Sequence, residues 1–156
     1  MSGGAASSEE LRKSKNAACL KLWFLIKAYG KDGLAKLIEQ RHNMANEFYN
    51  YLQNRDDFIV LNKVGINAVM FLYAPQKLNG NLDAINQLNK EIFDTMLIEG
   101  EYYLHNFPIK INGKFKYDKP FYPLRFMSGN NNLTKQDLLD VVQYVKETGD
   151  KILNEK

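Results

Sequence analysis

With one cysteine, Cys19, this 156-residue sequence can form no disulfide within the chain and no cysteine-cluster metal site. A reduced compartment is therefore expected, with the cytosol as the default. The two histidines, His42 and His105, are far apart and form no pair at metal-ligand spacing. His42, in EQRHNMA, reads as a solvent-facing residue on a helix, and His105, in YYLHNF, as a satisfied strand-end histidine. A Gly-rich phosphate loop is missing too, because GKDG and NGN lack the required spacing and strand–turn–helix context. Charge of one sign is nowhere concentrated. The net charge of +3 comes from 21 Lys and Arg interleaved with 18 Asp and Glu, which is no footprint for nucleic acid. The longest apolar run, Leu22–Ile26, is too short to span a membrane. The N-terminal MSGGAASSEELRKSK has no apolar stretch of the signal-peptide kind. Neither a nucleic-acid nor a membrane partner is expected.

What the sequence does have is the composition of a globular domain, 45% hydrophobic and 25% charged, at a length suited to one core. Residues 1–13 are small and polar and are expected to be a disordered tail, with a folded domain over 14–156. Leu20–Tyr29 reads as a buried helix stopped by Gly30, with Cys19 as a small core residue before it. Gly33–Arg55 reads as an amphipathic helix carrying Leu34, Leu37, Ile38, Ala45, Phe48 and Leu52 on one stripe, with Arg41 at its edge. Phe58–Leu61 and Ala68–Tyr73 are strand candidates, the second stopped by Pro75. Leu82–Glu99 returns to helix, with Ile85, Leu88, Ile92 and Met96 on one side and Gly100 as its stop. Tyr102–Phe107 is a further strand, and Asn112-Gly113 in IKINGKFKY signals a tight hairpin. Leu124–Met127 is the last strand, and Thr134 with Asp137 forms a capping box before a final helix. The order α-α-β-β-α-β-β-β-α predicts an α+β fold, a small and mostly antiparallel sheet with helices on one face.

Two features resist that scheme. Leu20–Ile26, the stretch LKLWFLI, holds the only tryptophan and is greasy on every side. Either it packs against something outside this chain, or it is the central helix of a larger core; the pattern alone weighs these evenly. Arg125 sits between Leu124 and Phe126 in an apolar strand, facing away from both. A buried guanidinium needs a partner. A structural carboxylate or helix C-terminus is the simpler partner, and the carboxylate of a ligand, held bidentately, is the sharper one. The aromatic groups EFYNYL and EYYLHNF fit core packing, and Asp56-Asp57 fits surface charge.

Three blocks, LKLWFLIKAYGKDGL, NAVMFLYAP and LRFMSGNNNLTKQDL, together span roughly Lys15–Gly149. In this order they resemble the C-terminal small domain of the group II pyridoxal-phosphate-dependent amino-acid decarboxylases, the family of the glutamate, cysteine-sulfinate and aromatic L-amino-acid enzymes. FLYAPQKLNGN leans toward the glutamate and cysteine-sulfinate branch. The resemblance implies the C-terminal domain of a fold-type I enzyme, with the greasy helix lying where the small domain joins a large cofactor-binding domain or subunit, within a homodimer. It implies that Arg125 pairs with the α-carboxylate of an amino-acid substrate. In the complete enzyme pyridoxal phosphate supplies the electron sink for decarboxylation. The sequence departs from the family in having no asparagine-proline-histidine-lysine motif, so this chain is expected to bind no cofactor covalently and to be inactive alone. Its segment FPIKINGKFKYDKPFY is longer than the family's hairpin. The alternatives are a non-catalytic interaction or regulatory module derived from such an enzyme, and a different lyase reaction on the same fold.

Overall fold

The computed structural model describes residues 8–110 and 118–155, and the chain falls into two compact units, Met1–Glu39 and Gln40–Lys156. Helix α1 runs Ser8–Gln53 across both, with Gly30 as its one non-helical residue at φ 66° and ψ 178°. Only glycine takes that left-handed φ without strain, which is why the helical pattern breaks where the sequence predicts. The helix begins at Ser8, inside the stretch read as a tail.

The first unit corrects three expectations. Leu20, Leu22, Trp23, Phe24, Leu25 and Ile26 are each between 44% and 58% exposed, and Cys19 is exposed as well. The segment is helical but is not buried by this chain, so its apolar character does not come from a core of the chain's own. Its side chains touch one another instead. The Trp23 and Phe24 rings meet edge to face at 5.1 Å, and Lys27 Nζ lies 5.7 Å from the Trp23 ring. Ile38, expected on the inward stripe, is exposed too.

The second unit carries the fold. Its elements are the end of α1, β1 (Phe58–Val60), β2 (Ala68–Tyr73), α2 (Leu82–Glu99), β3 (His105–Asn106), β4 (Leu124–Met127) and α3 (Lys135–Asn154). The four-stranded sheet has the order β1-β2-β4-β3, with antiparallel pairing throughout, so the α+β class holds. Strand β3 is much shorter than the predicted Tyr102–Phe107. Leu104 turns into the core while Tyr103 faces solvent, and Tyr102 packs on Tyr144 at 5.0 Å. Ile109 and Phe121 exchange paired backbone hydrogen bonds of 2.9 and 2.8 Å. The Asn112-Gly113 turn lies outside the described residues. Among those residues no helix is long and apolar enough to cross a membrane.

The core lies on the Val69, Phe71 and Tyr73 face of the sheet. Phe48 of α1 packs on Phe71 at 5.5 Å and on Phe126 at 4.4 Å, and Leu88, Ile92, Met96, Leu138, Val142 and Val145 complete the layer. Each such buried side chain contributes about 1.5–3 kcal/mol. Asn89, fully buried on α2, accepts from Tyr73 N–H at 2.9 Å and donates to the Tyr73 and Ile85 carbonyls at 2.8 Å. It thereby ties the end of β2 to the helical layer.

Two more asparagines fix the approach to β4. The Asn86 amide donates to the Pro120 carbonyl at 2.9 Å and accepts from Tyr122 N–H at 2.7 Å. The Asn106 amide donates to the Tyr122 carbonyl at 2.7 Å. Beyond β4, the Ser128 hydroxyl donates to the Arg41 carbonyl at 2.6 Å, and the capping box of Thr134 and Asp137 starts α3.

Candidate functional site

Strand β4 places Arg125 on the sheet face away from Leu124 and Phe126, which are buried in the core. The register sets Met70 of β2 opposite it on one side and His105 of β3 on the other. Residues paired in this way share a face, so Met70, Arg125 and His105 form one row across the sheet. Phe107 is two residues beyond His105, and its ring centroid lies 4.8 Å from the guanidinium carbon of Arg125.

The Arg125 Nε is buried and has no hydrogen-bond partner among the described residues, nor is Arg125 in any ion pair there. The structural carboxylate that the sequence favoured as its partner is not found among the described residues. A buried donor without an acceptor costs about 1–3 kcal/mol. Arg125 lines a cleft of about 610 Å³ at the β3 edge of the sheet, together with Tyr102, Tyr103, His105, Leu133 and Val141. The lining is mostly apolar, with Arg125 as its one guanidinium, an arrangement suited to a small molecule bearing a carboxylate. Asp137 also lines the cleft, but its carboxylate takes the Thr134 N–H at 2.6 Å and hydroxyl at 2.7 Å. Those hydrogen bonds hold it below the usual carboxylate range.

The other candidate residues stand apart from this cleft or contribute less. His42 Nδ1 donates to the Ile66 carbonyl at 2.9 Å, so this histidine is structurally engaged rather than merely solvent-facing. His105 is exposed, with Nδ1 3.4 Å from the Tyr103 hydroxyl and the two rings edge to face at 5.0 Å. Asp57, read as surface charge, makes a two-pronged ion pair with Arg55 at 2.7 and 2.8 Å. Burial opposes its ionisation, and the Arg55 guanidinium outweighs burial to hold its carboxyl below the ordinary value. No group of three metal-ligating side chains occurs among the described residues. Sequence reasoning missed Phe107. It lies 18 positions from Arg125, and only the β3–β4 register brings them together.

Compared with known proteins, residues 6–74 match the family model described as "Pyridoxal-dependent decarboxylase conserved domain". Tyrosine decarboxylase 2 of Arabidopsis thaliana is 26% identical over 106 residues, covering 68% of this chain and 19% of that protein. The chain therefore spans about a fifth of the length of that relative. Mouse CSAD in its apo form superposes with a TM-score of 0.71 at 20% identity, covering 84% of this chain and 27% of the other. Oryza sativa TDC, solved with PLP and tryptamine, gives 0.69 at 20% identity, covering 85% and 26%. The structural likenesses establish a shared fold.

Proposed function

We propose, from the premise that this chain resembles the group II pyridoxal-phosphate-dependent amino-acid decarboxylases, that it is the substrate-side part of such an enzyme and that Arg125 receives the substrate's carboxylate. The observation that supports this reading is the unpartnered, buried Nε of Arg125 in a mostly apolar cleft. A carboxylate entering there would fill an empty acceptor position and neutralise the guanidinium in one step. Bidentate pairing would also fix the direction of the carboxylate and so the orientation of the bonds at the carbon bearing it.

The cleft does not itself fit pyridoxal phosphate. No lysine lines it among the described residues. Of the lysines from Lys21 onward in the described residues, all are exposed except Lys90 and Lys146, which are half-buried and occupied by the Tyr122 ring and by Asp57. The cofactor and the lysine that binds it belong, in this reading, to a large domain or subunit that this chain meets, within a homodimer of the complete enzyme.

The test is to assay the chain alone and then the complete enzyme containing it. The chain alone should release no carbon dioxide from any amino acid; robust turnover would overturn the reading. In the complete enzyme Arg125→Gln should lower kcat/KM about 100-fold, the loss of one charge-assisted pair, with assembly intact. Loss of assembly instead would assign Arg125 a structural role. A second reading, a regulatory module that binds a full-length decarboxylase, is favoured by the exposed apolar face of Leu20–Ile26. Capture of the tagged chain from its host, followed by mass spectrometry and a visible absorbance scan, separates the two. A coloured partner that lacks a region equivalent to this chain supports the enzyme reading, and a full-length decarboxylase with its own copy of that region supports the module.

A further inference from the structure

Two arginines of the second unit stack on aromatic rings, and they differ in one respect. The Arg55 guanidinium lies 5.3 Å from the Phe58 ring and 5.7 Å from the Tyr51 ring, and its fork is filled by both oxygens of Asp57. The Arg125 guanidinium lies closer to its ring, 4.8 Å from Phe107, and its fork has no acid among the described residues. Arg55 shows the finished arrangement, with a ring on one side and a carboxylate at the edge. Arg125 has the ring and, among the described residues, no carboxylate.

We infer that Phe107 is a positioning residue, whose ring face sets the plane in which the Arg125 guanidinium meets an incoming carboxylate. A long arginine side chain with no hydrogen-bond partner would otherwise be free to turn, and a bidentate pair forms only when both planes agree. Phe107 can serve in this way because the backbone leading into it is fixed. Asn106, the residue before it, donates to the carbonyls of Tyr122 at 2.7 Å and Pro123 at 3.3 Å, and His105 pairs in register with Arg125 itself. The backbone that carries the ring is thus clamped to the strand that carries the guanidinium. The inference rests on the reading of Arg125 as a carboxylate receptor and adds the residue that orients it.

The test is a nitrogen-15 NMR titration of the full chain with sodium acetate, following the Arg125 Nε–H signal assigned by its loss in Arg125→Lys. In the wild type that signal should sit upfield, as expected beside a ring face, and move downfield saturably with acetate. Phe107→Tyr should behave alike. Phe107→Leu should lose the upfield displacement and weaken acetate binding about 5-fold, the scale of one cation–π contact. Unaltered binding in Phe107→Leu, with binding abolished in Arg125→Lys, would overturn the inference and leave the reading of Arg125 intact. Acetate that moves nothing in the wild type, or binds equally well to Arg125→Lys, would overturn both. If Phe107→Leu loses its folded amide spectrum, Phe107→Met makes the same comparison.

Discussion

Arg125 and Asn89 are both polar residues set into apolar surroundings, and they handle the problem in opposite ways. Asn89 spends its amide on three backbone groups of Tyr73 and Ile85. Replacing it with Ala leaves the Tyr73 N–H and carbonyl without partners in a buried place. The expected loss is about 2 kcal/mol, read as a lower urea midpoint with unchanged slope. Arg125 leaves its Nε unanswered among the described residues. Arg125→Met should therefore hold the urea midpoint or raise it, by up to about 1 kcal/mol, because the change removes an unsatisfied donor and keeps the apolar stem. A fall of more than that would mean that the arginine supports the fold rather than a ligand. Stability gained together with carboxylate binding lost is the signature of a residue kept for what it binds.

At the scale of elements, α3 holds a close contact that reverses an ordinary rule. Glycine inside a helix is usually improved by alanine. A Cβ on Gly149, however, would come within 2.6 Å of the Tyr73 ring, which is buried and tethered through its hydroxyl to Asp150 at 2.8 Å. Gly149→Ala should destabilise by about 1–3 kcal/mol, seen in thermal or urea unfolding. The other end of α3 gives a pH prediction. The Thr134 hydroxyl and N–H hold the Asp137 carboxyl below its ordinary value. A depressed folded-state value means that the stabilisation is complete above about pH 4, near the unfolded value, and is lost as pH falls through the folded one. Asp137→Asn should thus flatten part of the acid limb of a midpoint-against-pH curve. Helices α2 and α3 were legible because their caps are local. Gly100 and the Thr134–Asp137 box act within a few residues of sequence. Strand β3 was misjudged in length because the turning-in of Leu104 and the packing of Tyr102 on Tyr144 depend on a helix far along the chain. Arg125 stood out by pattern, but its ring partner did not, since strand register is invisible to periodicity. The burial expected of Leu20–Tyr29 failed for a related reason. A greasy face announces that it wants cover, and not which chain supplies it.

The molecule as a whole has one unit with a packed core and another whose large apolar side chains meet water. Contiguous exposed apolar surface of this kind promotes association. Purified alone, the chain should self-associate as its concentration rises. Leu22→Lys with Phe24→Glu should reduce that, measured by sedimentation, and leave the urea midpoint of the second unit unmoved.

The lone tryptophan, Trp23, is in the first unit, while the core of the second is built with phenylalanine and tyrosine. The chain therefore comes with its two optical reporters largely sorted. Excited at the red edge, its emission speaks only for the exposed helix, and a blue shift marks the moment something covers Leu20–Ile26. Tyrosine absorbance in the near ultraviolet follows chiefly the sheet and its helices, because eight of the nine tyrosines lie in the second unit and Tyr29 in the first. One cuvette, at two wavelengths, can distinguish the docking of a partner from the unfolding of the domain, with no label added.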